Sequence, residues 1–431
     1  MRTSVRSIAP PKTGGPDLLA AAAGIGHRLV RDVVWYRDRC NWVGADAGAA
    51  HGLGRYRPVH RALGPELSEG TAGVALFLAQ LHAAVGNDLF RRTALGAIDQ
   101  ALAHVDQVPA AVARGLYAGR LGVAYAAARC GLLLGEERLL QRAARTARGR
   151  WPGEPGMPEF DLVSGTAGAV AGLIALARLL DDERLVRRAG ELGDELIGAA
   201  RRGPEGWSWP APTGGRYHDL CGISQGAAGA AWALLELFAV SGERRHRDGA
   251  ERALDYERHW FDAQEANWPD LRGVERRERH GSFRSPYLNT WSHGAPGIAL
   301  TRLRAWQILG DDRYRCEASI ALDTTAAGVE RALLAQGADF TLGHGLAGNA
   351  DLLLLGAEQL SNAVPDRAPL AQRVGEVGIG RYASSVDGWP CGVPGGLAPA
   401  LLVGHAGIGL FYLRLHDKTV PSPLLVRTAA P

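Results

Sequence analysis

The feature that most constrains the fold is a short motif, Gly-x-x-Gly followed at once by an apolar run, which occurs seven times in the chain. Adjacent copies are separated by between 46 residues (Gly119 to Gly165) and 68 residues (Gly226 to Gly294), a distance that fits two helices with their connections. A repeat of this length predicts one supersecondary unit used seven times. The copies span residues 70–73, 119–122, 165–168, 226–229, 294–297, 345–348 and 404–407.

Each motif is followed by two different kinds of segment. The first is apolar on nearly every side, as in Ala-Ala-Trp-Ala-Leu-Leu at 230–235, and this predicts a helix that is buried all round. A polar turn follows, such as Gly86-Asn-Asp or Gly135-Glu-Glu. Beyond it, apolar residues three and four apart in a charged segment predict an amphipathic helix. Because strand-like alternation is scarce, we predict an all-α fold.

Two concentric layers of helices satisfy this pattern, with the buried helices inside and the amphipathic helices outside. We therefore predict an α/α toroid, or barrel, of seven helical hairpins over residues 17–431, preceded by a disordered lead-in at 1–16. An open solenoid is the alternative, but solenoids need polar capping repeats, and the first and last copies resemble the middle ones. In a closed ring the glycine turns would all lie at one end of the inner helices, around one cavity.

Composition argues against several classes of protein. The net charge is +3 and no dense basic run is present, so we expect no nucleic-acid partner. No uncharged apolar run reaches the roughly 18–20 residues that a membrane helix needs, and the N-terminus lacks the apolar core of a signal peptide. The five cysteines are odd in number and far apart. This is typical of a reduced protein, and we expect a cytoplasmic location.

Taken with their flanks, the motifs resemble the lanthionine cyclase (LanC-like) family, most closely the C-terminal cyclase domain of class II lanthipeptide synthetases. The likeness runs from about residue 17 to the C-terminus. It rests on Leu-Ser-Glu-Gly-Thr-Ala-Gly at 67–73, Asn-Trp-Pro-Asp-Leu-Arg at 267–272, Trp-Ser-His-Gly-Ala-Pro-Gly at 291–297, Gly-His-Gly-Leu-Ala-Gly-Asn at 343–349, Trp-Pro-Cys-Gly at 389–392 and Val-Pro-Ser-Pro-Leu-Leu-Val at 420–426.

The resemblance implies an α/α toroid that forms thioether rings in a ribosomally made peptide. In such a reaction a cysteine thiol adds to dehydroalanine or dehydrobutyrine. Family members hold the substrate thiol as a thiolate on zinc. Zinc is useful because a free thiol has a pKa of about 8.5, whereas a thiol bound to a metal loses its proton outright.

This sequence departs from the family at the zinc ligands. Ser292 and Gly343 stand where the family has cysteines, and only His344 remains. A neutral hydroxyl is a poor zinc ligand and glycine has no side chain, so we expect no zinc and no other cofactor. One alternative is a rearranged zinc site formed by His293, His344 and His405, since three histidines with an open position are a known catalytic arrangement.

The other candidate residues adjoin the same motifs. Asp161 matches a family active-site aspartate, although it could equally cap the helix that follows. The family often has a histidine where this chain has Gln225, and an amide does no acid–base work. We predict His344, His293 and Asp161 as catalytic residues, while each histidine could instead be a packing residue. The residues expected to contact substrate are Gln225, Ser292, His405 and Trp291.

Two functions follow from these observations. The first is a zinc-independent cyclase in which His344 or His293 takes the proton from the incoming thiol. The second is a non-catalytic peptide-binding or scaffold subunit of a lanthipeptide-type biosynthetic complex. In both, the expected partners are a precursor peptide containing dehydroalanine or dehydrobutyrine and a dehydratase or kinase/lyase. A third possibility is a glycosidase, but its signal is weak because Asp161 and Glu69 are the acidic residues just ahead of a glycine motif.

Overall fold

The computed structural model describes residues 17–46, 59–149, 159–210, 216–278, 285–360, 366–385, 388–391 and 398–426. The lead-in predicted at 1–16 lies outside the described residues. Within them the secondary structure is overwhelmingly helical, and the strands form three small two-stranded antiparallel sheets. The described part of the chain has no helix that is both long enough and apolar enough to cross a membrane.

Fourteen α-helices lie in the described residues. In chain order they are α1 (Leu18–Arg31), α2 (Thr71–Val85), α3 (Asp88–Ala103), α4 (Arg120–Leu134), α5 (Glu137–Arg148), α6 (Thr166–Leu180), α7 (Glu183–Ala199), α8 (Ala227–Ser241), α9 (Arg244–His259), α10 (Ala295–Leu309), α11 (Asp312–Leu334), α12 (Leu346–Leu360), α13 (Ala368–Tyr382) and α14 (His405–His416). The strands are β1 (Val34–Tyr36), β2 (Arg39–Asn41), β3 (Val43–Asp46), β4 (Val59–Ala62), β5 (Arg201–Gly203) and β6 (Gly206–Ser208).

The even-numbered helices form a closed inner ring. Each of the seven begins within its glycine motif, and each packs against the next, with α14 returning to α2. In α6, every residue from Thr166 to Ala177 is buried, whereas α5 buries a single stripe of Leu139, Ala143 and Ala147. This difference is what a buried inner layer and an amphipathic outer layer require. The predicted α/α toroid is confirmed.

The seventh hairpin differs from the prediction of seven consecutive helix pairs. Six inner helices are followed in the chain by their outer partner, but the chain after α14 forms no further helix within the described residues. The outer partner of α14 is instead α1, from the other end of the chain, which also packs against α3. The toroid is therefore closed by joining its two ends, so no repeat is left without a neighbour.

Glycine or aspartate ends each inner helix whose C-terminal cap lies in the described residues, as the turn chemistry predicted. Gly86, Gly135 and Gly310 take left-handed backbone conformations with φ near +70°, and Asp181 does the same with φ of 51°. The outer helices then begin at once. Asn87 caps α3, for example, by accepting the backbone N–H of Leu89 at 2.9 Å.

The motif glycines serve mainly for close packing. The backbone of Gly165 is extended, with φ of −113°, so its conformation does not require glycine. A Cβ atom there would lie 2.4 Å from the carbonyl oxygen of Glu159, and one on Gly168 would lie 2.2 Å from that of Leu162. Each loop thus folds back onto its own helix so tightly that a side chain has no space.

The C-terminal segment, residues 420–426, is part of the barrel interior. Arg414 in the last turn of α14 contacts the carbonyl of Val420, while the carbonyl of Pro423 accepts the hydroxyl of Tyr117 at 2.9 Å. Tyr117 belongs to the loop at the opposite end of the inner helices. The segment therefore crosses the ring from the C-terminal ends of the inner helices towards their N-terminal ends.

Candidate functional site

The loops that precede the inner helices are joined to one another by backbone hydrogen bonds. We name each loop by the helix it precedes; for example, the α10 loop is 288–294 and the α12 loop is 339–345. The bonds involve the residue two positions before the first glycine of a motif, or its neighbour. In each bond the backbone N–H of the first residue donates to the backbone carbonyl of the second. The pairs are Ser68 and Tyr117 (3.0 Å), Tyr117 and Val163 (3.0 Å), Leu162 and Ser224 (3.1 Å), Ser224 and Ser292 (3.3 Å), Gly343 and Leu402 (2.7 Å), and Leu402 and Ser68 (2.9 Å).

This series of bonds has one opening, between the α10 loop and the α12 loop. In the described chain no backbone hydrogen bond joins Ser292 to Gly343. The α10 loop is instead bonded to helix α12 itself, where the side-chain amide of Asn349 donates to the carbonyl of Asn289 at 2.8 Å. Ser292 and Gly343 are the two positions at which the resemblance implies cysteines. The opening therefore lies at the predicted reaction site.

His293 lies at this opening and is almost fully buried. A Cβ atom on Gly222 would be 3.3 Å from its Nδ1 atom, so the imidazole lies directly against the α8 loop. Burial lowers the pKa of His293, and the positive charge of Arg272 lowers it further, while Asp270 acts in the opposite direction. The imidazole is consequently neutral at pH 7.

His344 follows Gly343 and reaches solvent at the same opening. Partial burial lowers the pKa of its imidazole; Asp339 raises it and Arg272 lowers it again. The charge of His344 also lowers the pKa of His293, as the smallest of the contributions, so the two imidazoles lie within electrostatic range of each other. Of the predicted catalytic residues, these two histidines are on neighbouring sides of the opening.

A pair that the sequence analysis did not assign completes this group. The guanidinium of Arg272 donates to the Asp270 carboxylate from Nε at 2.9 and 3.0 Å and from Nη2 at 2.6 Å. Burial alone would raise the pKa of Asp270, but these bonds and the charge of Arg272 hold it below its ordinary value. The paired guanidinium sits close enough to depress the pKa of both His293 and His344.

The sequence held a signal for this pair that was not used. Asp270 and Arg272 belong to the Asn-Trp-Pro-Asp-Leu-Arg motif of the resemblance, inside a long charged segment between α9 and α10. Their position became clear only from the folded loop, in which the N–H of Asp270 donates to the carbonyl of Pro286 at 2.9 Å. That contact brings the segment back against the α10 loop.

The α8 loop beneath His293 is fixed by a buried carboxylate. Oε1 of Glu257 accepts the backbone N–H groups of Gly222 at 3.0 Å and Ala228 at 2.7 Å. Burial raises the pKa of Glu257 to about 7, although Arg302 acts in the opposite direction. Cys221 lies beside it, and burial together with this carboxylate raises the thiol pKa well above its ordinary value. Cys221 is therefore a protonated packing residue.

Asp161 lies elsewhere, on the α6 loop. Its Oδ1 atom accepts the backbone N–H groups of Val163 and Ser164, both at 2.7 Å, so it caps its own turn. Burial raises the pKa of Asp161 to about 7; those N–H groups lower it and the nearby Glu159 raises it. Among the described residues Asp161 makes no hydrogen bond to His293 or His344. Its loop reaches the α10 loop indirectly, through Ser224.

The donors present at the family zinc position do not suit zinc. The hydroxyl of Ser292 pairs with that of Thr290 at 3.1 Å. A Cβ atom on Gly343 would lie 3.1 Å from the carbonyl oxygen of Leu402, so even a small side chain there would have to displace the neighbouring loop. Among the residues that the structure describes, no three His, Cys, Asp or Glu side chains converge as metal ligands do. The arrangement gives no support to the three-histidine alternative.

His405 is separated from the other two histidines. It borders a small cavity of about 80 Å³ between α14 and α1, which Arg28 and Trp42 also line. Burial lowers its pKa to about 4, and the charge of Arg28 acts in the same direction. His405 thus borders a different cavity, away from the α10 and α12 loops that carry His293 and His344.

Of the other residues expected to bind substrate, Gln225 is exposed and Trp291 is buried. Gln225 is exposed at the mouth of the ring, directly before Gly226. Trp291 is buried, and its indole N–H donates to the carbonyl of Leu424 at 3.2 Å while its ring meets that of Tyr117 edge-on at 5.1 Å. Within the described residues, Trp291 therefore supports the C-terminal segment.

The same end of the toroid carries a cavity of about 410 Å³. It lies over the α2, α4 and α14 loops and the β3–β4 hairpin, and its lining includes Arg61, Glu66, Glu69 and Val403. A cavity of this size suits a few residues of an extended peptide.

Comparison with known proteins agrees with this fold. The sequence model of the lanthionine synthetase C-like protein family matches residues 61–425. The chain belongs to the lanthionine synthetase C-like family. Membership supports a lanthionine cyclase-type function and a peptide substrate from lanthipeptide biosynthesis. No protein of curated function matches the sequence significantly.

Solved structures show the same fold for this LanC-like chain. Nisin cyclase is similar with a TM-score of 0.59 and 16% sequence identity, over 82% of this chain and 89% of that one. A GH76 α-mannanase from Bacteroides thetaiotaomicron is similar with a TM-score of 0.51 and 10% identity, over 94% of this chain and 96% of that one. At such identities the likeness concerns the fold, and one toroid serves both a cyclase and a glycosidase.

Proposed function

We propose that this LanC-like protein closes thioether rings without zinc, by adding cysteine thiols of a ribosomally made peptide to dehydroalanine or dehydrobutyrine. The observation that carries the proposal is the opening between the α10 and α12 loops. Two neutral imidazoles, of His293 and His344, and the guanidinium of Arg272 lie together there. The zinc-binding thiolates of the family are replaced there by Ser292 and Gly343.

His344 is the general base in this proposal. It reaches solvent, and its lowered pKa keeps the imidazole unprotonated at neutral pH, so it can accept the thiol proton. His293 is buried against the α8 loop and forms the wall on which the thiol rests. A positioned base contributes about 10²- to 10⁴-fold to rate.

Arg272 supplies the positive charge that zinc supplies elsewhere in the family. As the proton moves to His344, the guanidinium stabilises the thiolate. The sulfur then forms a bond to the β carbon of the dehydro residue, and the C=C electron pair moves through the α carbon onto the carbonyl oxygen as an enolate. The imidazolium of His344 returns its proton to the α carbon, which restores the carbonyl and leaves the base ready for another cycle.

Asp161 has a supporting place in this scheme. Its raised pKa, about 7, leaves much of the carboxyl protonated at neutral pH. A protonated carboxyl on the α6 loop can donate to a peptide lying across the mouth, beside the cavity that Val163 also lines. We propose that Gln225 and Ser292 bind the same peptide, and that a dehydratase or kinase/lyase supplies its dehydro residues.

The test is to incubate the purified protein with a dehydrated peptide that retains its cysteines, and to count free thiols by alkylation and mass spectrometry. Thiols should disappear equally with and without a strong zinc chelator. His344→Ala should slow the loss about 10²-fold or more. His416→Ala, a matched change at the exposed end of α14 away from the glycine loops, should leave the rate unchanged.

The outcomes separate the two functions. Loss of thiols that stops on chelation contradicts the zinc-free part of the proposal. Unchanged thiols together with tight peptide binding contradict catalysis and favour a peptide-binding or scaffold subunit instead.

A further inference from the structure

Another cavity, of about 390 Å³, lies at the opposite end of the toroid from the glycine loops. It is bounded by the C-terminal parts of α4, α6 and α12 and by the segment from Lys418 to Leu425. Inner helices of 15 residues place it roughly 20 Å from the histidines. The proposed cyclase reaction leaves this cavity without a role.

The lining of this cavity carries an excess of positive charge. Arg129 comes from α4, Arg178 from α6 and Lys418 from the segment after α14, against one carboxylate in the lining, that of Glu358. Arg129 and Arg178 make no ion pair or hydrogen bond with any other residue that the structure describes. Lys418 is one of the two lysines in the chain, although arginines are abundant.

A buried hydrogen-bond donor adds to these surface charges. Arg414 also lines the cavity and is 2% exposed. Its Nε pairs with Asp351 and its Nη1 donates to the carbonyl of Val420, but its Nη2 is buried and has no partner among the described residues. A buried donor without a partner is unfavourable by about 1–3 kcal/mol, and native proteins rarely leave one so. An acceptor arriving from the cavity would satisfy it.

Part of the lining is apolar, with Ala175 and Leu179 beside Arg178 on α6 and Leu355 on α12, while Thr419 and Ser422 add hydroxyl groups. A ligand that matches both the cationic and the apolar parts of this lining has a compact, doubly negative head and an apolar body. Guanidinium groups bind phosphate through paired, charge-assisted hydrogen bonds, and two arginines with a lysine suit two negative charges better than one.

We propose that this cavity is a binding site for a small organic phosphate, with the phosphate held by Arg129, Arg178, Lys418 and the free Nη2 of Arg414. The apolar part of the ligand lies against Leu179 and Leu355. The site is independent of the opening where His293 and His344 meet, so the inference does not depend on the proposed cyclase activity.

The test uses isothermal titration calorimetry of the full chain with phenyl phosphate, inorganic phosphate and benzoate. Phenyl phosphate should bind at one site per chain, more tightly than inorganic phosphate, which lacks the apolar part, and than benzoate, which carries a single charge. Arg178→Ala should weaken the binding of phenyl phosphate about tenfold or more. Arg187→Ala, at an exposed position on α7, is the matched control and should leave binding unchanged.

Arg178 is exposed, so its replacement should leave the thermal unfolding transition in place. Arg129→Gln provides a second variant, on a different helix, that should show the same loss of affinity. The proposal is overturned by the absence of saturable binding into the millimolar range, by equal affinity for benzoate and phenyl phosphate, or by undiminished binding in both arginine variants.

Discussion

The indole N–H of Trp291 donates to the backbone carbonyl of Leu424 at 3.2 Å, which joins the α10 loop to the C-terminal segment inside the ring. Tyr117, from the α4 loop, binds the neighbouring carbonyl of Pro423 at 2.9 Å. The α10 loop and the α4 loop are thus both hydrogen-bonded to the same C-terminal segment. Ser422, in the same segment, donates to the buried carboxylate of Asp351. The segment therefore acts as a central support.

Removing the hydroxyl that holds this segment should lower stability. In Tyr117→Phe the buried carbonyl of Pro423 loses its partner, so the free energy of unfolding should fall by about 1–3 kcal/mol. Urea denaturation followed by circular dichroism measures it. Tyr36→Phe, at a position 63% exposed, should change stability by less than about 0.5 kcal/mol. Equal effects of the two changes would show that the tether is not stabilising.

Asp161 should make stability depend on pH. Its carboxyl loses a proton at about pH 7 in the folded protein but near pH 4 when unfolded, so between these values the folded state holds the extra proton. The free energy of unfolding should therefore fall as pH rises from about 4 to 7, by up to about 4 kcal/mol from this group, and stay level above.

Asp161→Asn tests that dependence, because an amide oxygen can still accept the N–H groups of Val163 and Ser164. The urea concentration at the midpoint of unfolding, measured at intervals between about pH 4 and pH 7, should fall less steeply with rising pH in the variant than in the wild type. Asp312→Asn, on an exposed side chain, should reproduce the wild-type slope. A variant slope equal to that of the wild type would assign the raised pKa to another group.

Arg272→Gln should slow thioether formation by about tenfold or more, because the thiolate and the enolate lose their counter-charge. The same change should raise the pKa of His344, which the charge of Arg272 lowers. The acid limb of the rate profile should therefore move to higher pH, an effect that simple destabilisation does not produce. Thiol counting across a pH series measures both.

The control for this prediction lies in the same segment. Arg277 is 80% exposed and pairs with Glu275 rather than with Asp270. Arg277→Gln should preserve both the rate and its pH profile. A profile that does not move in Arg272→Gln would remove Arg272 from the mechanism.

Restoring the two cysteines should create a zinc site. Ser292→Cys combined with Gly343→Cys places two thiolates beside His344, a ligand set that zinc favours. Gly343→Cys must also shift the carbonyl of Leu402, which a Cβ atom would approach to 3.1 Å, so we expect some loss of stability. Elemental analysis should find about one zinc per chain in the double variant and a much lower content in either single variant.

The sequence predicted the helical layers because each depends on local pattern. Helix boundaries followed from residues such as Gly86 and Asn87, whose conformations and caps are set within one turn. It also marked Ser292 and Gly343 as departures from the motifs of the resemblance, but it did not predict the opening that lies between them. The close approach of Gly165 to the carbonyl of Glu159, by contrast, arises within the folded loop and has no signal in the local pattern.

The tertiary structure alone decided which residues far apart in the chain lie close together. The pairing of α1 with α14, the placement of His405 in the cavity between them and the approach of Arg272 to His344 each depend on how the ring closes. A periodic pattern states which side of a helix is buried, because burial has the period of the helix. It does not state which neighbour covers that side, because the hydrophobic effect is non-directional and any apolar partner would satisfy it.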